Sequence, residues 1–190
     1  IMFTPSCVHF DEIIEGVELG VFINLDNLSV LEKFGKKYGS TYPCCIRLNP
    51  HILAGGNYKI STGHGNSKFG ISVFQMPQIL EIVGKYKIDI NGLHIHTGSE
   101  ISETDVYLKM SEILFGVARD FPSLKFIDFG SGFKVAYREN DNVTNIYDLG
   151  LKLGKAFKEF YESYGRKLEL WVEPGKYLVS ESGYLFVNTN

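Results

Sequence analysis

Along nearly the whole chain, short apolar runs of β type alternate with amphipathic helical patterns, and this alternation restricts the fold more than any other feature. The β-type runs fall at residues 1–4, 21–25, 44–48, 88–96, 125–129 and 168–173. Between them Phe10, Ile13, Ile14 and Val17 share one helical face. Val106, Met110, Ile113, Leu114 and Val117 share another, and Leu149, Leu153, Phe157 and Phe160 a third. Strand, helix, strand in strict succession predicts parallel pairing, because the chain must cross back over the sheet before it can run the same way again. A closed barrel and an open doubly wound sheet both satisfy this pattern. Polar residues and glycines gather just after three of the strands, at residues 94–99, 130–133 and 173–176. These are the carboxyl ends, where either architecture places its site. Three strand ends that each offer a different chemical group favour the TIM-type (β/α)8 barrel.

Such a barrel takes about 250 residues, whereas the 190 residues here supply six strand-helix steps and open directly on a strand at Ile1. The expectation is therefore an incomplete barrel over residues 1–180 that lacks the first strands. Residues 181–190 then begin a connection to something else. The run at residues 184–188 should leave the barrel pattern, following Glu173-Pro174-Gly175 without an intervening helix.

Charge and composition narrow the partners. The formal net charge is −3, with Lys and Arg dispersed among Asp and Glu. This is not the concentrated basic face that a nucleic acid or membrane surface requires. No apolar run reaches the ~18–20 residues that span a bilayer, and no basic region followed by a signal core opens the chain. A cytoplasmic setting and a small-molecule partner are expected. The three cysteines are an odd number, and Cys44 and Cys45 are neighbours that would point to opposite faces of a strand. All three read as reduced packing residues.

Four segments could carry chemistry. In Gly92-Leu93-His94-Ile95-His96-Thr97-Gly98-Ser99 the histidines are two apart on a strand and face the same side. They could bind one metal ion, or one ring could lie flat on an aromatic cofactor, or one could pack in the barrel with its nitrogens satisfied. In Asp128-Phe129-Gly130-Ser131-Gly132-Phe133 a strand runs into two glycines whose backbone N–H groups could gather round a phosphate, or simply form a tight turn. Trp171-Val172-Glu173-Pro174-Gly175-Lys176 sets a carboxylate at the end of an apolar strand. Glu173 could pair with Lys176, or hold a protonated ring nitrogen or a metal. Arg47-Leu48-Asn49-Pro50 opens a long polar stretch through Gly63 to Ser67-Lys68-Phe69-Gly70, which reads as a lid or as a surface excursion.

Taken in order, these segments resemble the fold-type III pyridoxal-phosphate decarboxylases, the group that acts on diaminopimelate, ornithine and arginine and shares its barrel with alanine racemase. Residues 47–50 with 60–71, and residues 92–99, resemble the diaminopimelate-specific branch in particular. The resemblance spans nearly the entire chain. It implies pyridoxal 5'-phosphate as cofactor and decarboxylation of meso-2,6-diaminopimelate to L-lysine and carbon dioxide, with ornithine, arginine or carboxynorspermidine as other substrates of the group.

By the same resemblance, His96 would stack on the cofactor ring and Ser99 would contact its phosphate. Gly130, Ser131 and Gly132 would bind that phosphate through backbone amides, Ser131 standing where the group usually has glycine. Glu173 would keep the ring nitrogen protonated, and Pro174 and Gly175 beside it would also bind the cofactor. Lys176 stands where the group has an arginine that meets phosphate or substrate carboxylate, and it lacks the bidentate fork. Arg47 would support the site from behind, Lys68 would flank the substrate pocket, and no metal is implied. The lysine that carries the cofactor, found in a Tyr-Ala-Val-Lys-like segment on an early strand, has no counterpart in these residues. Nor does the carboxy-terminal β-domain, through which the group forms homodimers with shared active sites. These 190 residues by themselves are accordingly expected neither to close a barrel nor to catalyse.

Two other classes remain. A metal-dependent hydrolase would use His94, His96 and Asp128 as ligands. A catalytically silent relative would keep the barrel as a binding protein.

Overall fold

The computed structural model describes residues 1–56 and 58–188. Among the described residues seven strands and six α-helices follow one another, alternating except where β4 follows β3: β1 (Met2–Phe3), α1 (Phe10–Glu18), β2 (Phe22–Leu25), α2 (Leu28–Tyr38), β3 (Cys44–Asn49), β4 (Ile71–Ser72), α3 (Met76–Tyr86), β5 (Ile90–Ile95), α4 (Thr104–Ala118), β6 (Phe126–Asp128), α5 (Ile146–Tyr164), β7 (Glu169–Trp171) and α6 (Lys176–Val179). Local chemistry sets several boundaries. At the start of α1, His9 accepts the Asp11 N–H while Glu12 accepts the His9 N–H. The Asn27 side chain takes the first free N–H groups of α2, and Gly165, at φ 75°, ends α5 in a left-handed turn.

All strand pairs are parallel, in the order β1-β2-β3-β5-β6-β7, with β4 beside the end of β3. Because that order follows the chain with no reversal, the sheet is singly wound, which is barrel topology rather than doubly wound topology. Its curvature can be measured. In a flat sheet β2 and β7 would lie four spacings apart, about 19 Å. Instead Phe22 on β2 meets the Phe126 ring of β6 edge-on at 6.0 Å and the Trp171 ring of β7 at 5.6 Å. The sheet curls through a half-barrel with these rings inside it.

Strand alternation sorts the side chains. Ile23, Leu25, Ile46, Leu48, Leu93, Ile95, Ile127 and Phe129 are fully buried in the main hydrophobic core, which the helices cover with Ile13, Leu31, Phe34, Ile79, Tyr107, Met110 and Leu114. Arg47, His94 and Asp128, register partners across β3, β5 and β6, fall on the opposite, inner face.

Several expectations need correction. Strand β4 was hidden in the long polar stretch, because two residues offer no periodicity to read; Leu48 pairs with Ile71. A turn of helix, α6, does follow Gly175. Apart from these corrections, residues 184–188 lie in no strand, with Tyr184 and Phe186 about nine-tenths exposed. Of the 181–190 segment, residues 189 and 190 lie outside the described residues. Cys44 and Cys45 are buried, and burial pushes both thiols well up, as expected for packing residues. Cys7 is exposed at φ 60° and is not a packing residue. Among the described residues no helix is long and apolar enough to cross a membrane.

Candidate active site

The carboxyl ends of β1, β3, β5, β6 and β7 open on one cavity of about 270 Å³, lined by Thr4, Arg47, His94, His96, Ser131 and Glu173. Every lining side chain is polar, although the sheet beneath is apolar on its outer face. Three turns build it. Residue 96 lies one step past β5, residues 130–132 follow β6, and residue 173 follows β7. The turns are tied together: Glu173 N–H donates to Gly130 O at 2.7 Å, and Ile101 N–H to Gly132 O at 2.9 Å.

Both glycines of the β6 turn have positive φ, 59° at Gly130 and 109° at Gly132. A Cβ at Gly130 would meet His96 Cβ at 2.9 Å, and one at Gly132 would meet Gly98 O at 2.2 Å. Their first task is thus to let the β6 and β5 turns approach. Two of the amides in this turn are engaged within the protein: Gly130 N–H donates to Asp128 Oδ1 at 2.7 Å, and Ser131 N–H more loosely to His96 Nδ1 at 3.4 Å.

The electrostatics divide the groups cleanly. Burial, with the nearby charge of Arg47, lowers His96 to about 4, so its imidazole is neutral at pH 7. Since Nδ1 accepts from Ser131, the proton sits on Nε2. Glu173 goes the other way: a hydrogen bond from His94 Nε2 at 3.1 Å holds its carboxyl below the usual range against partial burial, helped by the nearby Arg47 guanidinium. Asp128, inside the barrel, is pushed up by burial to about 6. Arg47, itself lowered by burial, lies over the Phe69 ring at 4.8 Å.

This donor set fits a pyridoxal ring. An ionised carboxylate and a neutral, flat imidazole face the same cavity, and the Ser131 hydroxyl adds a donor beside a turn with little side-chain bulk.

The structure brings together Arg47, His96, Ser131 and Glu173 from the sequence reading. It does not bring Lys176 or Lys68 to the cavity lining. The ion pair anticipated between Glu173 and Lys176 is replaced by two others: Glu173 pairs with His94, and Lys176 with Glu100, beneath which the Tyr137 ring lies 5.5 Å from the ammonium. Pro174 and Gly175 carry the chain from Glu173 into α6, so the cation points to the turn after β5. Lys68 lines a neighbouring hollow with Ser6, Cys7 and Asp26, its ammonium 5.0 Å above the Phe69 ring. Ser99 follows the β5 turn, where its carbonyl lies against Gly55. Thr4 was missed; a polar residue just after the first apolar run was its only signal. The His94, His96, Asp128 ligand set of the rival hydrolase reading does not converge; among the described residues the atoms within 4.8 Å of one another belong to His94, Asp128 and Glu173.

Comparison with known proteins agrees with this geometry. Residues 1–180 match the family model described as pyridoxal-dependent decarboxylase, pyridoxal binding domain. Diaminopimelate decarboxylase of Buchnera aphidicola subsp. Acyrthosiphon pisum is 30% identical over 186 residues, 97% of this chain and 44% of its own length. That of Methanothermobacter thermautotrophicus is 28% identical over 196 residues, covering all of this chain and 46% of its own length. The crystal structure of diaminopimelate decarboxylase from Helicobacter pylori complexed with L-lysine superposes with a TM-score of 0.80 at 27% identity, over 96% of this chain and 47% of that one. The chain thus spans less than half the length of these relatives. It belongs to the pyridoxal-dependent decarboxylase family, through that family's pyridoxal-binding domain.

Proposed function

We propose that this chain forms the barrel part of a pyridoxal 5'-phosphate-dependent carboxy-lyase that converts meso-2,6-diaminopimelate to L-lysine and carbon dioxide, the last step of lysine biosynthesis. The observation that carries the reading is geometric: His96 and Glu173 line one cavity at the strand ends, with the Glu173 carboxylate held there by His94 Nε2 at 3.1 Å. When bound, the cofactor supplies a protonated ring that accepts the electron pair left as carbon dioxide departs.

The chain's own residues do the rest. Glu173 holds a negative charge where it keeps a proton on the ring nitrogen, and His96 offers its flat neutral face to the ring. Ser131, with the turn of Gly130 and Gly132, and Ser99 with Lys176 take the phosphate. That role requires Lys176 to exchange Glu100 for the phosphate or a substrate carboxylate. Arg47 supports the site from the cavity wall, while Lys68 and its loop flank the substrate. Residues 1–180 serve as the cofactor barrel, and 181–190 begin the connection to a β-domain. The setting is cytoplasmic, and the assembly is a homodimer with shared sites. Support for diaminopimelate over ornithine, arginine or carboxynorspermidine comes from the wording of residues 60–71 and 92–99 and from the named relatives at 28–30% identity.

The test is lysine formation from meso-diaminopimelate by the purified full-length protein with saturating cofactor. We expect kcat/KM roughly a hundredfold above that for ornithine or arginine. We also expect a loss of about 10²–10³ in kcat in Glu173→Gln. No lysine from a cofactor-loaded protein would overturn the reading.

A further inference from the structure

His94 has no part in the chemistry above, yet it is almost completely buried at the barrel's mouth and hydrogen-bonds the Glu173 carboxylate through Nε2. We propose that His94 and Asp128 are positioning residues for Glu173: a buried pair on neighbouring strands that sets where its carboxylate points and leaves the negative charge there. This rests on the reading of Glu173 as the carboxylate of the cofactor's ring nitrogen.

The argument begins with Glu173 itself. It lies beyond the end of β7 with a side chain 42% exposed, so its free rotors would carry the carboxylate toward water. The bond to His94 Nε2 engages Oε2 and holds the group at the cavity wall. The ring that makes this bond is anchored in the sheet, since His94 is the register partner of Asp128 across β5 and β6. Asp128 is also buried, and its Oδ1 is occupied by Gly130 N–H.

Two further facts single out this pair. Among the described residues, four buried side-chain polar atoms have no hydrogen-bond partner, and two of them are His94 Nδ1 and Asp128 Oδ2. Buried polar atoms are rarely left so without a task. Moreover, one atom from each of His94, Asp128 and Glu173 lies within 4.8 Å of the others. Two carboxylates that close, one of them buried, resist carrying two negative charges. Burial raises Asp128 to about 6 while the His94 bond lowers Glu173, so Glu173 is the first of the two to ionise and below about pH 6 the single charge settles there. The other groups facing Asp128 do not reverse this division. The Cys45 thiol on β3 is pushed up and stays neutral, while Arg47 and neutral His96 lie toward Glu173. Above about pH 6 Asp128 ionises, and a second negative charge then competes for His94.

The full-length protein provides the test, with three readouts: the cofactor dissociation constant by fluorescence titration, the pH dependence of the bound cofactor's absorbance, and kcat against KM. His94→Leu should weaken cofactor binding about tenfold or more and lower kcat with KM little changed, the size expected when a hydrogen bond to a charged group is lost. His94→Gln, which can still donate to Glu173, should recover to within about threefold of the parent. Asp128→Asn keeps an acceptor for Gly130 N–H and mimics the protonated acid. It should bind cofactor normally but lose the absorbance inflection near pH 6. If His94→Leu does not fold, His94→Asn against His94→Gln makes the same comparison, because asparagine falls short of Glu173.

Wild-type cofactor affinity and spectrum in a folded His94→Leu variant, or an unchanged inflection in Asp128→Asn, would overturn the inference. Glu173→Gln serves as the control. If it is impaired and His94→Leu is not, only the positioning role fails; if it too behaves as wild type, the carboxylate reading fails first.

Discussion

Replacing Gly92 by alanine should destabilise the protein, although in an open strand the same change would stabilise it. Gly92 faces the barrel interior, where an added Cβ would lie 2.2 Å from Phe126 Cζ and 2.4 Å from Cε2. The Phe126 ring cannot swing aside freely: it is buried, stacks on Trp171 at 3.9 Å with planes 7° apart, and meets Phe22 edge-on. Relief must come from breaking that ring layer or from shifting β5 against β6, and overpacking of this kind costs about 1–3 kcal/mol. Without the clash, the loss of backbone freedom in the unfolded chain would give a gain of about 0.4–1 kcal/mol. The two outcomes therefore differ in sign. Urea unfolding of Gly92→Ala, Phe126→Leu and the double variant measures the coupling directly. With the ring gone, the extra methyl should cost almost nothing, giving a coupling of about 1–3 kcal/mol. In a thermal melt, each kcal/mol corresponds to about 2–4 °C for a domain of this size. A Gly92→Ala variant at least as stable as the parent, or strict additivity in the double variant, would refute the layered-interior account.

Two further outcomes follow from burial. His96 is neutral in the folded state, with its pKa lowered from 6.5 to about 4, so the unfolded chain binds its proton first as pH falls. Its contribution to stability is present above about pH 6.5 and is lost as pH drops towards 4. In His96→Asn, the loss of unfolding free energy between pH 7 and 4 should be smaller than in the parent, measured by urea titration at each pH; an equal or steeper loss would contradict the burial argument. The thiols should also separate: a thiol-reactive dye should label Cys7 promptly in the native protein, and Cys44 and Cys45 only after unfolding. Rapid labelling of either strand cysteine would mean that β3 is not buried as described.

The architecture was legible in the sequence because its signals are local and repeated. Apolar runs such as 44–48 and 125–129, and helical faces such as that of Leu149, Leu153 and Phe160, report burial wherever they occur in a chain. Parallel pairing then follows from connectivity. What escaped is what local pattern cannot carry: β4 at Ile71–Ser72 is too short to show alternation, and α6 follows a Pro-Gly pair that reads as a stop. The site divides along the same line. His96, Ser131 and Glu173 could be named because each stands at a strand end with the right functional group. The partners of the charges could not, because they are set by curvature. Lys176 lies three residues from Glu173 in sequence, yet it pairs with Glu100, 76 residues away, while Glu173 pairs with His94, 79 residues away. The exchange follows from α6, which carries the cation away from the strand end, and from the curl of the sheet, which carries the carboxylate over β5. Sequence therefore supplies the inventory of charges at the barrel mouth, and curvature of the sheet decides which of them remains an anion facing the cavity.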